Sequence, residues 1–167
     1  IEITGDRVLL IEGIHSLNNR ATAPVPVENK FRIYINALTQ LRLDNHTRIF
    51  TSDTRLLRRI VRDRIFRGWS GADTIKRWPL VRRGEKQNIF PFQEEADAMF
   101  NSALFYELAV LKNYAELALL DITPDQKEYA EAERLLDFLS WFAPISERDV
   151  PSASILREFI GGSFFAY

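Results

Sequence analysis

The feature that most limits what this chain can fold into lies between Asp53 and Gly68, where Leu56, Leu57, Ile60, Val61 and Ile65 recur among arginines. Apolar residues three and four apart line one face of a helix, so the spacing predicts an amphipathic helix with Ser52 or Asp53 as its cap and Gly68 as its stop. Arg55, Arg58, Arg59, Arg62 and Arg67 fall mostly off that stripe and are expected to present a cationic surface.

That surface belongs to a wider charge asymmetry. The formal net charge is -1, yet residues 55–86 hold eleven basic and three acidic side chains, while residues 87–167 hold five basic and fourteen acidic. Residues 1–54 are balanced at six of each. Local potential governs attraction, so the basic block points to an anionic partner. The alternative is an arginine-studded helix paired with the acidic final third, with Asp63 bridging Arg59 or Arg67 at i,i+4 spacing.

The 167 residues predict one domain able to bury a core, and 46% hydrophobic content excludes a disordered chain. The apolar runs Val8–Ile11 and Leu117–Leu120 fall far short of the roughly 20 residues of a membrane-spanning helix. There is no cysteine, which excludes disulfides and thiolate chemistry. These features fit a cytoplasmic protein. Ile1 is not an initiator methionine and no signal peptide follows it, so a piece of a longer or processed protein is expected.

Val8–Ile11 reads as a short strand buried on both faces, ended by Glu12-Gly13. Phe31–Ile35, rich in aromatic and β-branched residues, reads as a second strand and a neighbour of the first. A second helical stretch is expected from Gly71–Thr74 through Trp78 and Val81 to about Gly84, with a bend or first-turn position for Pro79. Asn88–Phe92 reads as extended because Pro91 disfavours helix at Phe90. Ala98–Leu104 fits a strand, and Tyr106–Leu111 fits a strand or a helix start. Helices are expected at Tyr114–Leu120, Glu128–Phe142 and Ile155–Ile160, the last stopped by Gly161-Gly162.

A carboxylate at the end of a buried parallel strand faces the crevice where open α/β sheets bind ligands, and there Glu12 can hold a magnesium ion or its water. The arginine helix beside a glycine-punctuated segment can close over a nucleotide and neutralise a transferring phosphoryl group.

The residues Leu10-Ile11-Glu12-Gly13-Ile14, the strand at Phe31–Ile35 and Asp53-Thr54-Arg55-Leu56-Leu57-Arg58-Arg59-Ile60-Val61-Arg62-Asp63 resemble, in order and approximate spacing, the phosphoribulokinase and uridine kinase family of P-loop kinases. Trp78-Pro79-x-Val81-Arg82-x-Gly84-Glu85, Ile89–Gln93 and Arg157–Gly162 resemble its bacterial uridine-kinase-like members. The resemblance implies an α/β chain with a partial P-loop NTPase fold, a parallel sheet flanked by helices. Within it, residues 53–93 are the arginine-rich helix and lid and 124–167 a helical tail. It implies ATP and magnesium as cofactors, with Glu12 on the metal side and catalytic, Arg59 and Arg62 catalytic and on nucleotide phosphates, Arg67 at the lid base, and His15 on the acceptor side. Where the family places a further lid arginine this chain has Trp69, and Arg82 or Arg83 is the expected replacement.

No Gly-x-x-x-x-Gly-Lys-Ser/Thr occurs in the chain. The resemblance therefore implies the carboxyl-terminal part of a kinase, without its first strand and P-loop. The full-length parent would phosphorylate a nucleoside-like hydroxyl of uridine or cytidine type, and this fragment alone would be inactive. Strand edges left unpaired invite a homo-oligomer, and no membrane partner is expected. Two other readings compete: a catalytically degenerate regulatory module, and an RNA-binding module using the basic block with Trp69 and Trp78 as stacking platforms.

Overall fold

The computed structural model describes residues 5–165. In chain order its regular elements are β1 (Ile33–Asn36), α1 (Thr51–Arg67), α2 (Gly71–Asn88), β2 (Ala98–Asn101), α3 (Glu107–Leu120), α4 (Tyr129–Ser140) and α5 (Arg157–Ile160). Short 3-10 turns occupy Val27–Asn29, Phe90–Glu95 and Glu147–Asp149. The fold is thus α/β, with two strands and five helices among the described residues. It divides into two compact units. One comprises the residues up to Ile35 together with Val81–Phe100; the other comprises Asn36–Leu80 and the residues from Asn101 onward.

β1 pairs with β2. The Arg32 carbonyl accepts from the Ala98 N–H and the Asn36 carbonyl from the Ser102 N–H, an equal advance on both strands that makes the pair parallel. This corrects the expected neighbour of Phe31–Ile35. Val8–Ile11 forms no strand and is exposed, Val8 at 93% and Leu10 at 86%. An apolar tetrapeptide becomes a buried strand only where other strands take up its backbone groups and cover its faces, and Val8–Ile11 has neither here. Glu12 consequently does not stand at a strand terminus.

The helices of the second unit form its core. Leu56, Leu57, Ile60 and Val61 of α1 are buried with Leu108, Val110 and Leu111 of α3, Leu135 and Leu139 of α4, and Phe159 and Ile160 of α5. The apolar stripe read from the sequence is therefore the packed face, except that Ile65 is exposed. α1 ends as expected at Gly68, whose left-handed backbone (φ 65°) lets its N–H and that of Trp69 turn back onto the Asp63 carbonyl. The start of α1 differs. Phe50 occupies the cap position with no side-chain bond, and Asp53 lies inside the first turn.

Ser70 and Asp73 close the start of α2 reciprocally. The Ser70 Oγ accepts from the Asp73 N–H at 3.1 Å, and the Asp73 carboxylate accepts from the Ser70 N–H at 3.3 Å and hydroxyl at 2.6 Å. Gly71 is required next to it, because a Cβ there would lie 2.4 Å from the Ala118 carbonyl oxygen of α3. α2 then runs through Pro79 and Gly84 to Asn88, four residues beyond the expected stop. A glycine costs a helix only about 1 kcal/mol, which neighbouring interactions offset. Asn88–Phe92 is likewise not extended; Pro91 sits in the first turn of the 3-10 segment, where its missing N–H has no role. Tyr106–Leu111, left open between strand and helix, opens α3.

In the first unit, the Arg32 N–H donates to Asp97 at 2.7 Å and its guanidinium lies 3.5 Å from Glu95, which also accepts from the Asn19 amide. Chiefly the Arg32 N–H holds the Asp97 carboxyl below the usual carboxylate range.

Candidate functional site: an arginine cluster around Asp63

On α1 the arginines divide by where the helix turns them. Arg58, expected on a cationic surface, is buried: its Nε donates to Glu107 at 2.5 Å, and NH2 donates to the Ser102 carbonyl at 2.6 Å. The Phe159 ring lies 5.0 Å from its Cζ. Arg58 falls on the side that α3 and α5 cover, so it serves the fold. Arg55 lies over the Trp78 ring at 6.0 Å. Asp53 pairs with Arg134 of α4 through two bonds of 2.9 and 3.1 Å, and Arg134 also bonds Glu131 at 2.7 and 2.8 Å. Those two carboxylates, Glu131 foremost, hold the Arg134 guanidinium firmly charged.

Arg59, Arg62 and Arg67 converge on one carboxylate. Asp63 is wholly buried, and its oxygens lie 3.2 Å from Arg59 Nε, 3.5 Å from Arg62 Nε and 3.0 Å from Arg67 NH1. Arg59, four residues back, and Arg67, four forward, share a helix face with Asp63, whereas Arg62 is its immediate neighbour in the chain and reaches it only at the longer 3.5 Å. The three guanidinium groups are partly open to solvent, at 23%, 27% and 45% side-chain exposure.

Three cations on one anion leave a surplus of two positive charges. Only Arg67 makes a hydrogen bond to Asp63 of good geometry; Arg59 Nε, Arg62 Nε and Asp63 Oδ2 are buried without one. Burial foremost, helped by repulsion from Arg62 and Arg67 and opposed by Asp63, lowers the Arg59 pKa. A group of this kind attracts an anion with several acceptor oxygens, for which phosphate suits arginine's planar fork.

The cluster continues past the end of α1. Arg67 Cζ lies 6.0 Å from the Trp69 ring, and Arg77 Cζ, from α2, lies 4.3 Å from the same ring. Arg77 is exposed and Trp69 half-buried.

The other expected site residues belong to the first unit. Glu12 and His15 are exposed, Glu12 just before and His15 within a turn in which the Ser16 N–H donates to the Gly13 carbonyl. Arg82 pairs with Glu85 at 3.1 Å and lies 5.8 Å from the Phe90 ring, while Arg83 is exposed. Trp69 therefore has Arg77 beside it, while Arg82 is engaged with Glu85 and Phe90. Arg77 escaped the sequence reading because its approach depends on the turn between α1 and α2. Asp63 carried a legible signal in its flanking arginines, but nothing in the spacing showed that it is buried.

Among the described residues no three histidine, aspartate or glutamate side chains gather as a metal cage. Glu12 is a lone exposed carboxylate in the first unit. Among the described residues, no helix is long and apolar enough to cross a membrane. Comparisons with protein-family models, with curated proteins and with solved structures give no match.

Proposed function

We propose that this chain is the arginine-bearing part of an ATP-dependent kinase of the uridine kinase type, with a partial P-loop NTPase fold, in which Arg59, Arg62 and Arg67 receive nucleotide phosphates. The observation that carries this reading is the cluster itself: three guanidinium groups gathered on a single buried carboxylate, with two buried Nε atoms lacking hydrogen bonds. Preorganised cations of this kind stabilise the charge on a transferring phosphoryl group without reorganising at the moment of reaction. Glu12 would hold magnesium, as the resemblance implies, and the ion would supply further charge neutralisation. His15 stands for the acceptor side, where a nucleoside-like hydroxyl takes the phosphoryl group as its bond to ADP breaks. Arg82 and Arg83 are secondary nucleotide contacts in this reading, and the cytoplasm is its compartment.

The chain contains no Gly-x-x-x-x-Gly-Lys-Ser/Thr, so the isolated chain is proposed to bind nucleotide and to transfer nothing. That same absence supports a second reading, a degenerate kinase-like module that binds without chemistry. The RNA reading has less support, because the rings of Trp69 and Trp78 already have arginines over them. Exposed apolar residues on the two-stranded sheet favour a second copy of the chain as partner.

Calorimetric titration of the chain with ATP tests the proposal. Binding is expected to weaken about tenfold in Arg62→Ala and in Arg59→Ala, and to fall as salt is raised. Undiminished binding in both variants removes the cluster from the site. Phosphorylation of uridine or cytidine by the chain alone would contradict the expected inactivity. In the full-length parent, turnover lost in Glu12→Gln together with Arg59→Ala favours the enzyme; retained partner binding with no turnover in the wild type favours the degenerate module.

A further inference from the structure

Arg67 faces two ways. Its NH1 bonds Asp63 at 3.0 Å, and its Cζ lies 6.0 Å from the Trp69 ring, against which Arg77 is held at 4.3 Å. The cationic groups therefore follow one another from Arg59 and Arg62, gathered on the buried Asp63, through Arg67 and the Trp69 ring to Arg77. No carboxylate among the described residues lies within ion-pair distance of Arg77. The acidic side chain one turn before it, Asp73, is bound to Ser70 at the start of α2 and contributes only its field. The cluster around Asp63 has a surplus of two charges, which one phosphoryl dianion neutralises. Arg77 adds a cation that a single phosphoryl group does not need.

From this arrangement we propose that Trp69 and Arg77 extend the anion site, so that it takes a linear polyphosphate, two or more linked phosphoryl groups, in preference to a single phosphate. Trp69 is the positioning residue: its ring holds the Arg77 guanidinium in place, so that less side-chain freedom is lost when the anion arrives. The inference rests on the phosphate reading of the Asp63 cluster and names the ligand that cluster takes.

Inorganic pyrophosphate and orthophosphate, titrated separately into the chain by calorimetry, test it. The unaltered chain is expected to bind pyrophosphate about tenfold more tightly than orthophosphate. Arg77→Gln, at an exposed position, and Trp69→Leu are expected to erase that preference by weakening pyrophosphate alone, whereas Arg62→Gln weakens both anions. Equal affinity for the two anions, or a preference that survives Arg77→Gln, overturns the inference. If Arg62→Gln weakens both anions and Arg77→Gln neither, the extension fails while the phosphate reading stands; if neither anion binds, both fall.

Discussion

Arg58 and Glu107 form an ion pair inside the second unit, 2.5 Å from Nε to carboxylate oxygen, with side-chain exposures of 8% and 2%. The other Glu107 oxygen accepts from the Leu104 N–H at 3.1 Å, and Arg58 reaches the Ser102 hydroxyl at 3.2 Å, so each charge has further partners. One residue of α1 is thereby tied to α3 and to the segment after β2.

Removing one partner leaves the other charge buried. Glu107→Ala is expected to lose about 3–5 kcal/mol of stability, read from urea denaturation. The double variant Arg58→Met/Glu107→Leu is expected to recover most of that loss, because an apolar pair of similar volume carries no desolvation cost.

Burial foremost raises the Glu107 carboxyl pKa above its ordinary value of 4.5, against the opposing effect of Arg58. A raised acid binds its proton more tightly in the folded state. Its stabilising contribution is therefore complete below the ordinary value and is lost as pH rises through the folded one. Denaturation midpoints measured upward from about pH 4 should show this decline in the unaltered protein and a flatter profile in Glu107→Gln.

Among the described residues, Asp63 is the one carboxylate within ion-pair distance of the three guanidinium groups that meet on it. Asp63→Asn is expected to destabilise by about 1–3 kcal/mol, less than a fully buried pair because the arginines are partly solvated. Their mutual repulsion is screened by salt, so the deficit should shrink between low and high ionic strength in thermal melts.

The junction into α2 tests local against tertiary constraint. Ser70→Ala removes the reciprocal cap and should cost about 1 kcal/mol. Gly71→Ala should cost more, although alanine favours helix, because its Cβ would meet the Ala118 carbonyl oxygen at 2.4 Å. Calorimetric melting of the two variants gives the order.

A parallel sheet ordinarily lies covered on both faces, yet here Ile35 and Phe100 are 62% and 54% exposed. At micromolar concentration the chain is expected to self-associate through this sheet, and Ile35→Lys with Phe100→Lys to restore a monomer, as judged by light scattering. A clean monomer of the unaltered chain refutes the expectation.

Much of the helical framework was legible in the chain. The α1 stripe, its glycine stop and the helix near Glu128–Phe142 all rest on interactions within a few residues, which the order of side chains states directly. The partner of β1 was not legible. Pairing with β2 joins residues more than sixty positions apart, and the nearer apolar run at Val8–Ile11 offered an equally plausible strand.

The arginines draw the same line within one helix. Sequence alone determined that Arg59 and Arg67 can each meet Asp63 on α1, because side chains four residues apart share a helix face wherever the helix lies. Only the tertiary structure decided that neighbouring Arg58 is a core residue bound to Glu107, that Asp63 is sealed from water, and that Arg77 returns to Trp69 across the turn. Burial and long-range contact depend on which surfaces other elements cover, and a helix by itself has no inside.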